Sequence, residues 1–336
     1  MSILVAPDSF KGTYPAVQVA DVISAGIRDA SGVAVPLPVA DGGEGTFDAL
    51  CRSLRATAVT VDVQDAWGEP FAATIGLAMD GGTAVVEVAQ ASGLTAARIT
   101  PRDAAAASTY GTGMAIAAAI GRGASHIMVA AGGSATTDGG EGAVRALQER
   151  GGLHGARITV LSDVTTTFLD APRVFGPQKG ADAATIRGME ARLSRLAAAY
   201  PRNPVDVPRT GAAGGLSGGL WAAFGADLVS GADAVLDAAG FDDLLRTADA
   251  VVVGEGRLDS QTGEGKIISA ILARVRATGR AIPVVAIVGS VARDAGSYVR
   301  NFSEVIVASD AAAMYDAGRS IAHYSSSRPR PQVPGA

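Results

Sequence analysis

The stretch Ile3-Leu-Val-Ala6, followed directly by Pro7-Asp8-Ser9-Phe10-Lys11-Gly12, contains the pattern from which the fold can be predicted. In it, a short apolar run ends abruptly in glycine, acidic and hydroxyl residues. The same change follows the apolar runs at 33–39, 127–131 and 250–253. Buried parallel strands read as continuous apolar runs, and ligands of open α/β sheets bind beyond the strands' carboxyl ends. We therefore predict that these four polar loops converge on one ligand.

Strands and helices alternate at both ends of the chain. The predicted strands there are 3–6, 33–39, 250–253, 282–288 and 304–308. In the middle, the runs 59–63, 72–77 and 84–88 indicate an antiparallel meander. The pattern predicts an α/β fold in which a doubly wound parallel sheet is interrupted by an inserted α+β domain.

This interruption divides the chain into a discontinuous first domain, 1–58 and 241–324, and an inserted domain, 59–240. The remaining residues, 325–336, are rich in Ser, Pro and Arg and are predicted to be disordered. Among the helices, 183–199 has a clear apolar face, and 263–275 is also predicted to be helical. Thr13 is predicted to cap the first helix, with Pro15 in its first turn.

Composition excludes several functional classes. The 28 basic and 33 acidic residues give a net charge of −5 without a dense basic block, so nucleic acid is not expected as a partner. Cys51 is the only cysteine, which rules out an intramolecular disulfide and fits a reducing compartment. The amino terminus lacks the basic segment of a signal peptide, and no apolar run reaches the roughly 18 residues of a membrane span. A cytoplasmic protein without membrane contact is predicted.

Lysine is rare in this chain and always adjoins glycine. The sequence has 25 arginines but only three lysines, Lys11, Lys179 and Lys266. A compact ammonium in a glycine-lined loop suits phosphate, and the loop carboxylates could hold a divalent cation or accept a hydroxyl proton. Together these groups predict phosphoryl transfer. The segment before Ile267 is not a Walker A loop, because no Ser or Thr follows the lysine.

Five segments resemble the signature blocks of the bacterial class I glycerate kinases. They are Ala6-Pro-Asp-Ser-Phe-Lys-Gly12, Pro38-Val-Ala-Asp-Gly-Gly-Glu-Gly-Thr46, Gly132-Gly-Ser-Ala-Thr-Thr-Asp-Gly-Gly140, Val174-Phe-Gly-Pro-Gln-Lys-Gly-Ala181 and Gly254-Glu-Gly-Arg-Leu-Asp-Ser-Gln-Thr262. The resemblance implies ATP-dependent phosphorylation of D-glycerate with Mg²⁺, giving 2-phosphoglycerate or 3-phosphoglycerate. It also implies a flavodoxin-like domain interrupted by a restriction-endonuclease-like one.

The chain departs from the family pattern at two places. Thr137 stands where the family usually has Asn, and Thr165-Thr-Thr-Phe168 replaces an Asn-Pro-Leu type of turn after Asp163. The second departure motivates a rival hypothesis, a sensor that binds a nucleotide or sugar acid without turnover. A kinase for a related small hydroxy acid is the other alternative.

With the resemblance, the residue types suggest a role for each candidate. Phosphate or nucleotide binding is assigned to Lys11, Ser9, Gly42, Gly43, Gly133 and Lys266. Substrate binding is assigned to Arg257, Ser134, Thr136, Gln178 and Gln261. Asp163 or Asp259 is the expected base, Lys179 meets the substrate carboxylate or the transferred phosphoryl group, and Asp41, Glu44 and Asp138 are expected magnesium ligands. The expected partners are D-glycerate and ATP, and the chain is expected to be a monomer or homodimer.

Overall fold

The computed structural model describes residues 1–10, 12–94, 99–259 and 267–322. The strands in these ranges are β1 Ser2–Pro7, β2 Val33–Pro36, β3 Thr57–Gln64, β4 Pro70–Leu77, β5 Thr83–Glu87, β6 His126–Ala130, β7 Arg157–Leu161, β8 Asp227–Val229, β9 Ala250–Glu255, β10 Val284–Val288 and β11 Glu304–Val307. The α-helices are α1 Ala16–Asp29, α2 Thr46–Ser53, α3 Val88–Ser92, α4 Pro101–Ala106, α5 Tyr110–Ile120, α6 Glu141–Glu149, α7 Ala171–Phe175, α8 Ala183–Ala199, α9 Leu216–Phe224, α10 Gly231–Ala238, α11 Phe241–Thr247, α12 Ile267–Ala277 and α13 Ala311–Ile321. The fold is a mixed α/β one with parallel strands and helices.

Residue contacts divide the chain into two compact units. The first unit contains the residues up to Asp41 and those from Ala232 onward, and the second unit is Gly42–Gly231. This division places α2 in the second unit, whereas the sequence-based bounds of 1–58 and 59–240 keep it in the first domain. The domain bounds themselves stay a prediction.

The sheet of the first unit has the order β2-β1-β9-β10-β11, and all of its neighbouring strands are parallel. The strand predicted at 33–39 ends at Pro36 instead. Pro36 and Pro38 have no N–H group, so the regular ladder stops there. The amides of Leu37 and Val39 still donate to the β1 carbonyls of Val5 and Pro7, at 2.7 and 3.0 Å.

Both faces of this sheet are buried, as expected of a parallel sheet covered by helices. Ile3, Val5 and Val252 face the core shared with α1 and α13, while the alternate residue Leu4 is buried on the other side. Two glycines let α1 and α13 cross closely. A Cβ at Gly26 would overlap the backbone of α13, and one at Gly318 would overlap the backbone of α1.

The sheet of the second unit has the order β3-β4-β5-β6-β7-β8. Its first three strands form the antiparallel meander that the sequence predicted, and β5 to β8 are parallel. Its core includes Ile116, Ile127, Val129 and Leu216. Because β6 belongs to this sheet, the loop after β6 lies at a different sheet edge from the loops after β1, β2 and β9. The four loops therefore follow strands of two different sheets, and their convergence on one ligand stays a prediction.

The helix predictions were confirmed only in part. Helix α8 has the predicted bounds, and α12 ends two residues later than predicted. Thr13 is not a helix cap. Its hydroxyl donates to the carbonyl of Phe10 at 2.7 Å, and α1 begins at Ala16 after an extended Pro15 that occupies the N-cap position.

Candidate functional site

A cavity of about 390 Å³ lies at the carboxyl edge of the first unit's sheet. All five strands contribute to it through the residues that follow them or end them. The polar lining comprises Asp8 and Ser9 after β1, Asp41 after β2, Glu255, Arg257 and Asp259 at the end of β9, Ser290 after β10 and Ser309 after β11. The chain runs from β1 outward to β2 and from β9 outward to β10, so β1 and β9 flank the point where the strand order reverses. Ligands of doubly wound sheets bind at this point.

The cavity brings together four of the predicted site residues: Ser9, Asp41, Arg257 and Asp259. The sequence analysis gave these four residues four different roles, namely phosphate binding, magnesium binding, substrate binding and the base. Arg257 Nε and Asp259 Oδ2 are 3.9 Å apart, and the arginine side chain is 69 % exposed. An exposed pair of this length is weak. The guanidinium can therefore turn toward an anionic ligand at little cost.

The described lining is strongly acidic. Asp8 and Glu255 add two carboxylates to Asp41 and Asp259, against the one guanidinium of Arg257. Carboxylates and hydroxyls are oxygen donors, which Mg²⁺ prefers. Across the described residues, no group of three or more His, Cys, Asp or Glu side chains could hold a metal ion. Magnesium in phosphoryl-transfer sites usually takes only one or two carboxylates and completes its shell with phosphate oxygens and water, so this donor set fits a metal–phosphate complex.

Ser9 provides a second sign of a ligand. The residue is 6 % exposed, and its Oγ has no hydrogen-bond partner among the described residues. Its amide donates to Asp8 Oδ1 at 2.6 Å, which fixes the loop. Buried hydroxyl groups are nearly always hydrogen-bonded in native proteins. The unpaired hydroxyl at this cavity suits a polar ligand atom.

In the second unit, the two predicted glycine loops pack against each other. The amide of Gly132 donates to the carbonyl of Gly42 at 3.1 Å. A Cβ at Gly132 would lie 2.5 Å from the Cα of Gly43, so a larger residue would push the loops apart. The neighbouring Gly133 has a φ of +69° and accepts a hydrogen bond from Leu94. These glycines are explained by backbone packing as well as by ligand binding.

Asp138 is fully buried, and its carboxylate is saturated with donors. Its oxygens accept from the Thr109 amide and hydroxyl at 2.8 and 2.9 Å, and from the amides of Gly140 and Gly142 at 3.1 and 3.2 Å. These donors lie at the N-termini of α5 and α6, where a negative charge is favourable. The arrangement suits a carboxylate that holds two helix starts together, and it leaves little room for the predicted metal contact.

Lys179 meets two other predicted residues in the second unit. It ends a 3-10 turn at Pro177–Lys179, and its Nζ donates to Ser134 Oγ at 3.1 Å and to the Thr136 carbonyl at 2.6 Å. The residue is only 3 % exposed. Burial disfavours the charged amine and lowers the pKa of Lys179 to about 7, while the charge of Asp138 partly opposes this. The adjacent Gln178 is exposed.

Asp163 lies at the carboxyl edge of β7. Its Oδ1 accepts from the amide of Gly231 at 2.9 Å and from Ser230 Oγ at 3.1 Å. The threonine segment after it, which departs from the family pattern, joins the glycine-rich loop that follows Arg209. The carbonyl of Thr166 accepts from the Gly211 amide at 3.0 Å. At the other departure, Thr137 is buried and its hydroxyl has no partner among the described residues.

Sequence reasoning missed two kinds of residue. Ser290 and Ser309 line the cavity, and their signal was their place directly after the apolar runs of β10 and β11. Glu87, at the end of β5, has a pKa raised by burial and, to a smaller extent, by the charges of Asp48 and Glu44. The predicted metal ligand Glu44 is itself exposed. Lys11, Gln261 and Lys266 lie outside the described residues.

Comparisons with known proteins agree with the sequence resemblance. The model of the glycerate kinase family matches residues 3–152 and 148–323. A glycerate kinase from Bacillus subtilis (strain 168) is 35 % identical over 334 residues, covering 88 % of this chain and 87 % of its own. A glycerate 2-kinase from Escherichia coli (strain K12) is 35 % identical over 333 residues, with the same coverage.

A solved structure is also similar. The crystal structure of putative glycerate kinase 2 from Salmonella typhimurium LT2 superposes with a TM-score of 0.83 at 31 % identity, covering 96 % of this chain and 97 % of that one. Within the described part of the chain, no helix has the length and apolar character needed to span a membrane.

Proposed function

The chain belongs to the glycerate kinase family, and from that premise we propose that it transfers the γ-phosphoryl group of ATP to a hydroxyl of D-glycerate. The product is 2-phosphoglycerate or 3-phosphoglycerate. The observation that carries the proposal is the cavity of the first unit, which gathers Ser9, Asp41, Arg257 and Asp259. An anion-binding fork, a carboxylate base and oxygen donors for a metal–phosphate complex are the parts that phosphoryl transfer needs.

In the first unit, we assign Asp259 as the base that accepts the proton of the attacking hydroxyl. Arg257 is the planar fork for the glycerate carboxylate. The Ser9 hydroxyl, which has no hydrogen-bond partner among the described residues, donates to a phosphate oxygen, and Lys11 and Lys266 are assigned to phosphate as well. Asp41 holds Mg²⁺, which when bound neutralises charge on the phosphates.

In the second unit, Gly42, Gly43 and Gly133 are assigned to phosphate through their backbone amides, and Glu44 is a further candidate metal ligand. Ser134, Thr136 and Gln178 are assigned to substrate binding, and Gln261, which lies outside the described residues, keeps the same assignment. Lys179 supplies positive charge to an anionic group. Asp163 is the alternative base. For Asp138 we propose a positioning role, because its oxygens already accept four hydrogen bonds between 2.8 and 3.2 Å.

The proposed architecture is a flavodoxin-like domain of 1–58 and 241–324, with a restriction-endonuclease-like insertion at 59–240. The parallel order β2-β1-β9-β10-β11 supports its first half. We propose a cytoplasmic enzyme that acts as a monomer or homodimer on small molecules.

A turnover assay tests the function. Purified protein is incubated with MgATP and a panel of hydroxy acids, ADP release is followed, and the product is identified by phosphorus NMR. Release with D-glycerate, and a phosphomonoester signal that assigns the 2- or 3-position, is the expected result. Release with only another acid would point to the related kinase, and ligand binding without release would point to the sensor. Asp259→Asn serves as the matched inactive variant.

A further inference from the structure

Two stretches of the cavity lining in the first unit are contacted by the same piece of chain. One stretch carries Arg257 and Asp259 after β9, and the other carries Ile267 and Ile268 at the start of α12. Residues 289–302, which follow β10, contact both stretches, and we call them the bracing segment. Its bonds therefore determine how these two parts of the lining are held.

The bracing segment begins by pairing with the loop after β9. The Leu258 amide donates to the Ser290 carbonyl at 2.9 Å, and the Leu258 carbonyl accepts from the Ala292 amide at 2.8 Å. The Leu258 side chain is fully buried. Because Leu258 lies between Arg257 and Asp259, these bonds fix the backbone from which both of those side chains extend.

The far end of the bracing segment is held against α12 by Tyr298. Its hydroxyl lies 2.7 Å from the hydroxyl of Ser269, in the first turn of α12, and either oxygen can donate. The Tyr298 ring packs edge-to-face on Phe302, with ring centroids 5.8 Å apart. Asn301 donates to the Tyr298 carbonyl at 2.9 Å and accepts from Arg276 at 2.6 Å. The segment is therefore bonded to the first turn of α12 and to its last turn.

Tyr298 also lies close to the cavity. Burial raises the pKa of its phenol, and the charge of Glu255 raises this pKa further. Glu255 is part of the cavity lining. Ile267 and Ile268, the two residues before Ser269, line the cavity as well and are almost completely buried. A displacement at the Ser269 contact would therefore move a wall of the cavity.

A glycine gives the bracing segment its shape. Gly296 has a φ of +50° and a ψ of −128°, a conformation that L side chains rarely adopt. A Cβ at this position would meet none of the described atoms within 4 Å, so lack of space is not the reason for the glycine. The turn at Gly296 separates the residues that hold Leu258 from Tyr298, and it lets one segment serve both contacts.

We propose that Tyr298 is a positioning residue for the phosphoryl transfer. Its bond to Ser269 fixes the first turn of α12 against the bracing segment, whose other end fixes the loop that carries Arg257 and Asp259. The two stretches of the lining are thereby kept at one spacing around the ligand. Tyr298 touches no reacting atom in this role. The inference rests on the proposed function for the reaction that the cavity supports.

Removal of one hydroxyl tests this role. Tyr298→Phe keeps the ring on Phe302 and loses the bond to Ser269. We expect kcat/KM for D-glycerate to fall by about tenfold, since a misplacement of about 1 Å costs up to about 100-fold. The melting temperature should fall by at most about 4 °C. A role in stability alone would lower the melting temperature and leave the kinetic constants of the folded enzyme unchanged.

Ser269→Ala removes the same bond from the other side. It should lower kcat/KM as much as Tyr298→Phe does, and the double variant should lower it no further, because the two residues share one contact. Tyr315→Phe, on α13 and outside the cavity lining, is the matched control and should stay within about twofold of wild type. Additive losses in the double variant, or a Tyr298→Phe enzyme within about twofold of wild type, would overturn the proposal.

Hydrogen exchange measured by mass spectrometry gives a readout that needs no turnover. In Tyr298→Phe, the peptides that contain Leu258 and Ala292 should exchange at least about threefold faster than in wild type, because the segment that holds them is less fixed. The β1 peptides should exchange as before. If the wild type phosphorylates no hydroxy acid, the proposed function fails and exchange alone decides the positioning role. Unchanged exchange at both peptides would overturn that role with or without turnover.

Discussion

The two units both carry polar residues at the carboxyl edge of parallel strands, but they use them differently. In the first unit, Asp41, Arg257 and Asp259 surround a cavity. In the second, Asp138, in the loop after β6, is buried and hydrogen-bonded within the protein. The same sequence pattern, an apolar run followed by glycine and acid, produces both. The pattern marks a sheet edge, and burial separates an edge whose polar groups line a cavity from one whose polar groups are bonded within the protein.

The largest expected effect is on catalysis at the first edge. Asp259→Asn removes the proposed base while keeping the side chain's size, and kcat should fall by about 10²–10⁴-fold. The unfolding free energy should stay within about 0.5 kcal/mol of wild type. Steady-state kinetics and urea denaturation measure the two. Asp206→Asn, at an exposed position of the second unit, is the control and should leave both unchanged.

At the second edge, we expect the main effect of a substitution to be on stability. Asp138→Ala leaves the amides of Gly140 and Gly142 and the Thr109 donors without their acceptor. Stability should drop by about 3–5 kcal/mol, since several buried donors become unsatisfied together. Urea denaturation measures the loss, with Asp206→Ala as control. A drop below 1 kcal/mol would mean that this carboxylate does not organise the helix starts.

Smaller effects on stability are expected for Ala212 and Ala213 in the second unit. Ala213 adopts a left-handed conformation, with a φ of +50°, and its neighbour Gly214 accepts from the Gly139 amide. Ala212→Gly should cost about 1.5 kcal/mol through lost methyl burial and added chain freedom. At position 213 the same change also relieves about 1–2 kcal/mol of left-handed strain, so Ala213→Gly should stay within about 0.5 kcal/mol of wild type. Equal losses in thermal unfolding would contradict this account.

Glu87 is a partly buried acid at the second edge, so the pH dependence of stability tests how burial acts there. Burial raises its pKa, so the folded state holds its proton to higher pH than the unfolded chain does. In that window the unfolded state binds fewer protons, and this residue's contribution to stability is lost as pH rises through the folded pKa. Glu87→Gln should therefore gain relative stability from pH 4 to pH 8 in urea titrations. The exposed Glu69→Gln should show no such trend.

Local patterns predicted the strands of the first sheet well. β1 and β9 were found within two residues because their apolar runs are continuous and end in glycine or proline. The predicted β2 was too long, because the apolar composition of 33–39 gives no sign of the missing N–H groups of Pro36 and Pro38. The bounds of α8 were predictable from its apolar face alone.

Long-range packing could not be read from the chain in the same way. Asp138 looks like any loop acid in sequence, and its donor Thr109 is 29 residues away. Lys179 adjoins glycine, as the other two lysines do, and its burial depends on Ser134 and Thr136, which are more than 40 residues away. Such properties follow from tertiary contacts that no local spacing encodes.

The crossing of α1 and α13 has a consequence for the order in which the protein can fold during synthesis. Gly26 contacts α13 and Gly318 contacts α1, although nearly the whole length of the chain separates the two helices in sequence. The paired strands β1 and β9 are also far apart in sequence. The second unit is one continuous stretch, so all its partners emerge from the ribosome before β9 exists. Domains generally fold as units as they are made. The second unit can therefore fold before β1 and α1 have their partners. Until the last third of the chain is synthesised, the apolar faces of β1 and α1 remain uncovered.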